Sequence, residues 1–201
     1  MQYLLIAIIA FSVLLRLFAP QIKGYLGERV IRRVLARLPE AEYSVLHDVL
    51  ISSENGTAQV DHIVVSKYGI FVIETKNYQG WIFGDEYAKQ WTQTIYRRKS
   101  RFMNPIHQNY GHIQALKKLL VMGDDDFISV VAFSRRCKLK FKHDIENVVY
   151  YNQLKDTIAR YHNERLSPEQ ITEIVQKIAE NNIVDKSLRR KHIQDIRQRI
   201  S

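Results

Sequence analysis

Two apolar runs separated by a short polar turn constrain this chain more than any other feature. They span residues 60–65 and 70–73, within the stretch QVDHIVVSKYGIFVIETKNYQGW that begins at Gln59. Each run places branched or aromatic side chains on both faces of an extended strand. The pattern predicts a β-hairpin that is covered on both sides, as in the central strands of an α/β fold.

The register of this hairpin follows from the length of its loop. A four-residue loop at 66–69 pairs Val65 with Ile70 and sets Asp61 directly opposite Glu74. Opposite residues share a face of the sheet, and Lys76 shares it too because it lies two positions beyond Glu74. On this register one face carries Ile63, Val65, Ile70 and Val72, and the other carries Val60, Val64, Phe71 and Ile73.

The charged residues of the hairpin are expected at the rim of the covered sheet. Two facing carboxylates there repel by about 3 kcal/mol at an effective dielectric of about 20. Lys76 offsets part of that repulsion, and a divalent cation offsets more, since Mg²⁺ prefers oxygen ligands. We therefore predict a metal site at Asp61 and Glu74, with a structural ion cluster as the alternative. A metal held there would bind a phosphate oxygen and activate water, which Lys76 could position or deprotonate.

The remaining sequence predicts alternating helices and strands. Helical spacing runs from 25 to 38 and from 104 to 122, and again over 154–161, 167–179 and 185–200. Further strands are expected at 43–52, in the aromatic segments WIFG and WTQTIY, at 127–134 and at 147–151. This order predicts an α/β fold.

Composition favours an anionic partner. The chain has 201 residues with a formal charge of +9, and Cys137 is its single cysteine, which excludes an internal disulfide and a cysteine-rich zinc module. Two basic stretches, 135–142 and 186–199, are either solvated faces or contacts for nucleic acid or anionic lipid. Tyr78, Trp81 and Trp91 are predicted as core or rim aromatic residues rather than stacking platforms for bases.

The first twenty residues predict a membrane anchor. A low-polarity run extends from Tyr3 to Leu15 and, interrupted by Arg16, continues to Ala19. Its 17 residues are at the lower limit for spanning a bilayer. A signal peptide fits less well because no basic residue precedes the run, and a buried core helix is the remaining alternative. Basic residues follow the run, so the positive-inside rule leaves the rest of the chain in the cytoplasm, at the bacterial inner membrane.

Several sequence blocks together resemble a known family. Gly27-Glu28 at the start of a helix, the hairpin stretch from Gln59, Trp91-Thr92 and NPIHQN at 104–109 occur in the order seen in the nuclease-related domain, called NERD. The resemblance covers residues 24–134, between the anchor at 1–20 and a basic strand and helical extension at 135–201. It implies a restriction-endonuclease-like mixed sheet flanked by helices, since NERD is regarded as a branch of the PD-(D/E)XK superfamily.

The resemblance also implies roles for individual residues. Asp61 is similar to the metal-binding aspartate of that superfamily, and Glu74 and Lys76 match its E-x-K pair of ligand and catalytic lysine. Glu28 resembles the acidic residue on a helix that often completes the site, and its spacing with Ile31 and Leu35 suggests that it leans inward. Residues expected to support the site or contact substrate are Gln59, Gln108 and His112; core packing is an equal alternative for the last two.

These features lead to one functional hypothesis and one alternative. The first is a membrane-anchored nuclease that depends on Mg²⁺ or Mn²⁺ and hydrolyses phosphodiester bonds, with DNA as the expected partner. The alternative is an inactive module of nuclease-like fold that binds nucleic acid or protein at the membrane.

Overall fold

The computed structural model describes residues 27–54, 56–185, 187–189, 192 and 194. The predicted membrane anchor at 1–20 and most of the predicted helix at 185–200 lie outside this set. Within the described residues, no helix combines the length and the apolar character needed to cross a bilayer.

A five-stranded mixed sheet forms the centre of the molecule, in the order β1-β2-β3-β7-β9. Its strands are β1 (Tyr43–Ser53), β2 (Gly56–Ser66), β3 (Gly69–Lys76), β7 (Phe127–Phe133) and β9 (Val148–Tyr150). The first three are antiparallel neighbours, whereas β7 is parallel to both β3 and β9. Strands β2 and β3 pair antiparallel inside this sheet and form the predicted hairpin.

A second, four-stranded sheet has the order β6-β5-β4-β8. It contains β4 (Gly80–Phe83), β5 (Gln90–Ile95), β6 (Arg98–Met103) and β8 (Cys137–Leu139). The chain enters it directly from β3 through a turn at Gly80, where φ is +78° and an added Cβ would lie 2.3 Å from the carbonyl oxygen of Thr94. A side chain at position 80 would therefore clash with β5.

Helices cover both faces of the central sheet. They are α1 (27–35 within the described residues), α2 (Pro105–Leu120), α3 (Leu154–Ala159) and α4 (Pro168–Asn181). One buried cluster joins α2 and α4 to the sheet, and a second joins α1 and α3 to its other face. A third cluster, around Trp91 and Phe133, connects the central sheet to the second one. Elements beyond residue 134 thus contribute to all three clusters.

The hairpin confirms the predicted register from its turn up to His62. Val65 pairs with Ile70, and the ladder ends where His62 pairs with Ile73. The predicted pairing of Asp61 with Glu74 is therefore not formed, and Asp61 bonds Thr75 instead. Ile63 and Val72 share one face, as predicted, and this face is covered by α2. Val64 and Phe71 share the other, as predicted, and α1 covers it.

The predicted faces fail beyond that point, because Val60 packs in the α2 cluster rather than the opposite one. Strand β2 therefore changes face near Asp61. The paired strand β1 does the same at Asp48, whose φ of 53° lies in the left-handed region. Period-two alternation assumes regular strands and does not detect such a change of face.

Candidate active site

Strand β3 ends with two charged side chains beneath helix α2. Glu74 is 2% exposed, and Lys76 Nζ donates hydrogen bonds to Glu74 Oε1 at 2.6 Å and to Gln108 Oε1 at 2.9 Å. Both residues continue the face of Ile70 and Val72, which explains why they share a side of the sheet. The structure thus brings together the predicted E-x-K pair and the predicted glutamine on α2.

Helix α2 is held over this pair by two buried asparagines. Asn104 caps the helix by accepting a hydrogen bond from Ile106 N, and its Nδ2 donates to carbonyl oxygens of the 85–88 loop. Asn109 Nδ2 donates to the carbonyl oxygen of Val72 on β3 and to Ser129 Oγ on β7. The sequence placed Asn104 at the start of the helix but gave neither residue a role in holding α2 to the rest of the protein, although both lie in the NPIHQN block that carried the resemblance.

His112 lies one turn beyond Gln108 and faces the same carboxylate. Its Nδ1 is 3.6 Å from Glu74 Oε2, too long for a hydrogen bond. Burial, with the charge of Lys76 adding to it, lowers the pKa of His112 to about 4, so the ring is neutral at pH 7. Both facing atoms are buried without a hydrogen-bond partner among the described residues. Such unpaired buried atoms are uncommon and mark a place where a proton, water or ion can be accommodated.

Asp61 lies at the point where β2 and β3 separate. Its Oδ2 accepts hydrogen bonds from Thr75 N at 2.8 Å and from Thr75 Oγ1 at 2.7 Å, replacing the next step of the ladder. Burial raises the pKa of Asp61, and the two hydrogen bonds from Thr75 oppose that rise. Thr75 was missed in the sequence because a threonine in a strand is ordinary, and only its contact with Asp61 gives it a role.

The two carboxylates are coupled electrostatically. Burial raises the pKa of Glu74 to about 7; Lys76 opposes this rise, and the negative charge of Asp61 adds to it. Burial alone would lower the pKa of Lys76, but the adjacent Glu74 raises it, so Lys76 stays cationic. The pair therefore has a buried acid close to its titration midpoint beside a permanent positive charge, as is common at functional sites.

Two predicted site residues have their described contacts elsewhere. Glu28 accepts a hydrogen bond from Arg32 at 2.7 Å with 45% of its side chain exposed, so it does not lean inward as expected. Its negative charge nevertheless contributes to raising the pKa of Asp61. Gln59 Nε2 donates to Asp48 Oδ1 at 2.6 Å, at the change of face. The roles of Glu28 and Gln59 stay predictions.

Gly27 explains how α1 approaches the end of β3. A Cβ at position 27 would come within 2.6 Å of the Asn77 side chain, which directly follows Lys76. A larger residue at position 27 would require the Asn77 side chain to move. The Gly27-Glu28 block thus reflects close packing of α1, which places Glu28 within electrostatic range of Asp61.

The residues present could supply only some of the ligands of a divalent cation. Across the part of the chain that the structure describes, no group of three or more His, Cys, Asp or Glu side chains is arranged to bind an ion. Mg²⁺, however, is commonly held by one or two carboxylates, with water and substrate phosphate completing its shell. The unpaired Glu74 Oε2 would supply one such oxygen, and Asp61 would supply a second carboxylate. The chemistry of these two donors fits that mode of binding.

Comparison with known protein families shows which family contains the residues of this site. Residues 23–134 match the nuclease-related domain, and this match covers more than half of the chain. The chain belongs to the NERD family. In this member of the family the matched region supplies the hairpin, the Glu74–Lys76 pair and the whole of α2, with Gln108 and His112.

A relative extends the similarity beyond the NERD region. An uncharacterised protein of Bacillus anthracis is 41% identical over 203 residues, covering 96% of this chain and 95% of its own length. No solved structure gives a significant match. Membership of NERD indicates a nuclease-like fold and, with it, binding of nucleic acid.

Proposed function

We propose that this NERD protein is a divalent-metal-dependent nuclease that hydrolyses phosphodiester bonds in DNA. The single observation that carries the proposal is the buried Glu74–Lys76 pair, in which Lys76 bonds one carboxylate oxygen and the other has no hydrogen-bond partner among the described residues. A purely structural ion pair would be expected to satisfy both oxygens, since an unpaired buried acceptor costs about 1–3 kcal/mol.

Each residue of the site has a distinct part in this proposal. Asp61 and Glu74 would hold Mg²⁺ or Mn²⁺, and the bound cation would polarise the phosphate and favour ionisation of water. Lys76 orients the attacking water and stabilises negative charge, because its raised pKa keeps it protonated and unsuited to be the base. Gln108 fixes the ammonium group of Lys76 from α2. The net positive charge of the chain supports binding of a polyanion.

The rate of DNA cleavage, compared between two variants that each remove one lysine from an ion pair, tests the proposal. We expect the full-length chain to cleave DNA with Mg²⁺, and Lys76→Ala to lower the rate by about 10²-fold or more, the usual effect of losing one stabilising donor. The matched control is Lys67→Ala, which breaks another 2.6 Å lysine–glutamate pair, on the exposed turn of the hairpin. Cleavage by Lys76→Ala at the rate of the control would refute the assignment.

A binding module without catalysis is the second candidate, and one observation favours it: the described residues contain no group of three metal ligands. Such a module would bind DNA without carboxylate-dependent affinity for Mg²⁺ or Mn²⁺. Metal titration of the wild-type chain therefore separates the two functions even where cleavage is slow.

The location proposed for the nuclease is the cytoplasmic face of the cell membrane, with residues 1–20 as its anchor. The apolar run from Tyr3 to Ala19 and the basic residues that follow support this placement. Full-length chain should remain in the membrane fraction after alkaline extraction, and a chain lacking residues 1–22 should be released. Equal release of both would exclude the anchor.

A further inference from the structure

The four-stranded sheet presents one face to solvent, and that face is rich in aromatic and basic side chains. Trp81 and Phe83 on β4 are 52% and 40% exposed. Ile82, between them on β4, and Trp91, on the neighbouring strand β5, are fully buried in the third core cluster. The burial pattern therefore separates an inner face that packs against the protein from an outer face that does not.

The register of the strands places cations beside these rings. Trp81 lies between Lys138 on β8 and Thr94 on β5, and Thr94 pairs in turn with Lys99 on β6. In the neighbouring row, Phe83 pairs with Thr92, and Thr92 with Arg101. Lys140, just after β8, places its Nζ 5.4 Å from the centroid of the Trp81 ring. The outer face thus has aromatic side chains in its centre and cations along both sides.

The charge of this face is unbalanced. Its four cations, Lys99, Arg101, Lys138 and Lys140, are all exposed. No acid within the described residues forms a salt bridge with any of them, and no acidic residue occupies the paired positions of this face. An uncompensated positive patch of this kind is complementary to a polyanion.

We propose that the outer face of this sheet binds single-stranded nucleic acid, with bases stacked on Trp81 and Phe83 and phosphates held by the four flanking lysine and arginine side chains. Stacking on exposed aromatic side chains requires unpaired bases, because the faces of bases in a duplex are already covered by their neighbours. The face should therefore prefer a single strand to a duplex.

The middle strand favours nucleic acid over a lipid surface. Thr92 and Thr94 lie between the aromatic side chains of β4 and the cations of β6. The hydroxyl group of Thr92 can bond phosphate or sugar oxygens, whereas that of Thr94 is buried. A surface that inserts into lipid would need apolar side chains there. The sequence had favoured Trp81 as a core or rim residue, and its exposure alters that expectation.

This face also lies close in sequence to the candidate active site. Strand β3 ends at Lys76 and β4 begins at Gly80, so the two sites are on consecutive strands. The inference rests on the proposed function in one respect: the strand held on the sheet is the nuclease substrate or the unpaired region beside the bond that is cut. Binding itself can be measured without cleavage.

Fluorescence anisotropy in the presence of EDTA tests the proposal on the full-length chain. The probes are a labelled oligothymidylate of about 15 nucleotides, sufficient for a small stacking site, and a duplex of equal length. We expect the double variant Trp81→Ala, Phe83→Ala to bind the single strand at least ~10-fold more weakly, as loss of base stacking predicts, with a smaller loss for the duplex. Trp81→Phe should retain most of the binding, since it keeps a ring.

Paired charge variants check the flanking cations. Lys99→Ala with Arg101→Ala should weaken binding and reduce the slope of log affinity against log salt by about 1–2, as loss of two phosphate contacts predicts. The control is Lys155→Ala with Arg160→Ala, which removes two exposed cations on or next to α3.

Two results would overturn the inference, and one separates it from the nuclease proposal. Wild-type binding of the single strand by the double aromatic variant would overturn it. The inference would also be overturned if the double aromatic variant lost binding to phosphatidylglycerol vesicles while its binding to the oligonucleotide stayed unchanged. A Lys76→Ala chain that no longer cleaves should still bind the single strand, so failure of catalysis leaves this test intact.

Discussion

At the scale of single residues, the site holds the Glu74 carboxylate in a poorly hydrated place within electrostatic range of Asp61. The pKa of Glu74 is raised to about 7, because burial and the charge of Asp61 raise it although Lys76 opposes the shift. Asp61 is secured by Thr75, whose backbone and hydroxyl donors both meet one carboxylate oxygen. A cation between the carboxylates would remove their repulsion and favour the ionised form of both.

The pKa of Glu74, about 7, predicts that metal binding depends on pH. Because this pKa is raised on folding, the contribution of Glu74 to stability is present at low pH and is lost as pH rises through about 7. Bound Mg²⁺ reverses that loss by favouring the carboxylate. The stabilisation by Mg²⁺ should therefore be larger at pH 8 than at pH 6, and binding should release protons near pH 7.

Thermal unfolding with and without Mg²⁺ at the two pH values measures the first effect. Calorimetric titration in two buffers of different ionisation enthalpy measures the second. A shift in unfolding temperature that is the same at both pH values, with heats independent of buffer, would show that Glu74 is not a ligand.

At the scale of secondary-structure elements, α2 and the hairpin make the site together. The hairpin supplies Glu74 and Lys76, and α2 supplies Gln108 and His112 one turn apart. The buried side chain of Asn109 fixes the distance between them by bonding to β3 and β7 at the same time. This contact explains why a helix covers this end of the sheet in a defined register.

Replacing Asn109 tests that role. Asn109→Ala leaves the carbonyl oxygen of Val72 and the hydroxyl of Ser129 without this donor, so we expect a loss of about 1–3 kcal/mol in the free energy of unfolding. Tyr110→Ala, on the next residue with a 62% exposed side chain, is the control and should change it by less than about 0.5 kcal/mol. Denaturant unfolding of both variants measures the difference, and equal stabilities would show that Asn109 does not hold α2.

The sequence predicted an element well where its apolar periodicity and the residues that mark its ends agreed. The hairpin register up to His62, the helix that begins at Asn104-Pro105 and the apolar strand at 127–133 were all predictable, because each has a strong periodicity and a clear boundary. Strand β6 was not predicted, since RKSRFM does not alternate between apolar and polar residues and is exposed at the edge of the second sheet. The short strand β8 was missed for a similar reason.

At the scale of the whole molecule, two sheets share one set of buried contacts. Trp91 of the second sheet stacks on Phe133 of the central sheet, with ring centroids 6.0 Å apart. Residues after 134 complete the cores on both faces of the central sheet through α3 and α4. No local pattern predicts such partnerships, because they join segments far apart in sequence. The Asp61–Thr75 contact and the change of face in β2 were unpredictable for the same reason.

The proposed mechanism also needs the molecule to concentrate a polyanion near the Glu74–Lys76 pair. The formal charge of +9 serves that purpose in general, and the outer face of the second sheet supplies a local part of it. Affinity for DNA should accordingly fall as salt rises, while metal affinity at the proposed site, whose Glu74 is buried, should respond far less.

The most direct test of the central claim is a titration of the full-length chain with Mn²⁺, followed by electron paramagnetic resonance of the free ion. We predict one Mn²⁺ site that is lost or weakened at least ~10-fold in both Asp61→Asn and Glu74→Gln, since each removes a charged ligand. The same site should persist in Glu54→Gln, which changes an exposed glutamate paired with Lys118. Wild-type Mn²⁺ affinity in both site variants would contradict the claim that Asp61 and Glu74 hold a metal together.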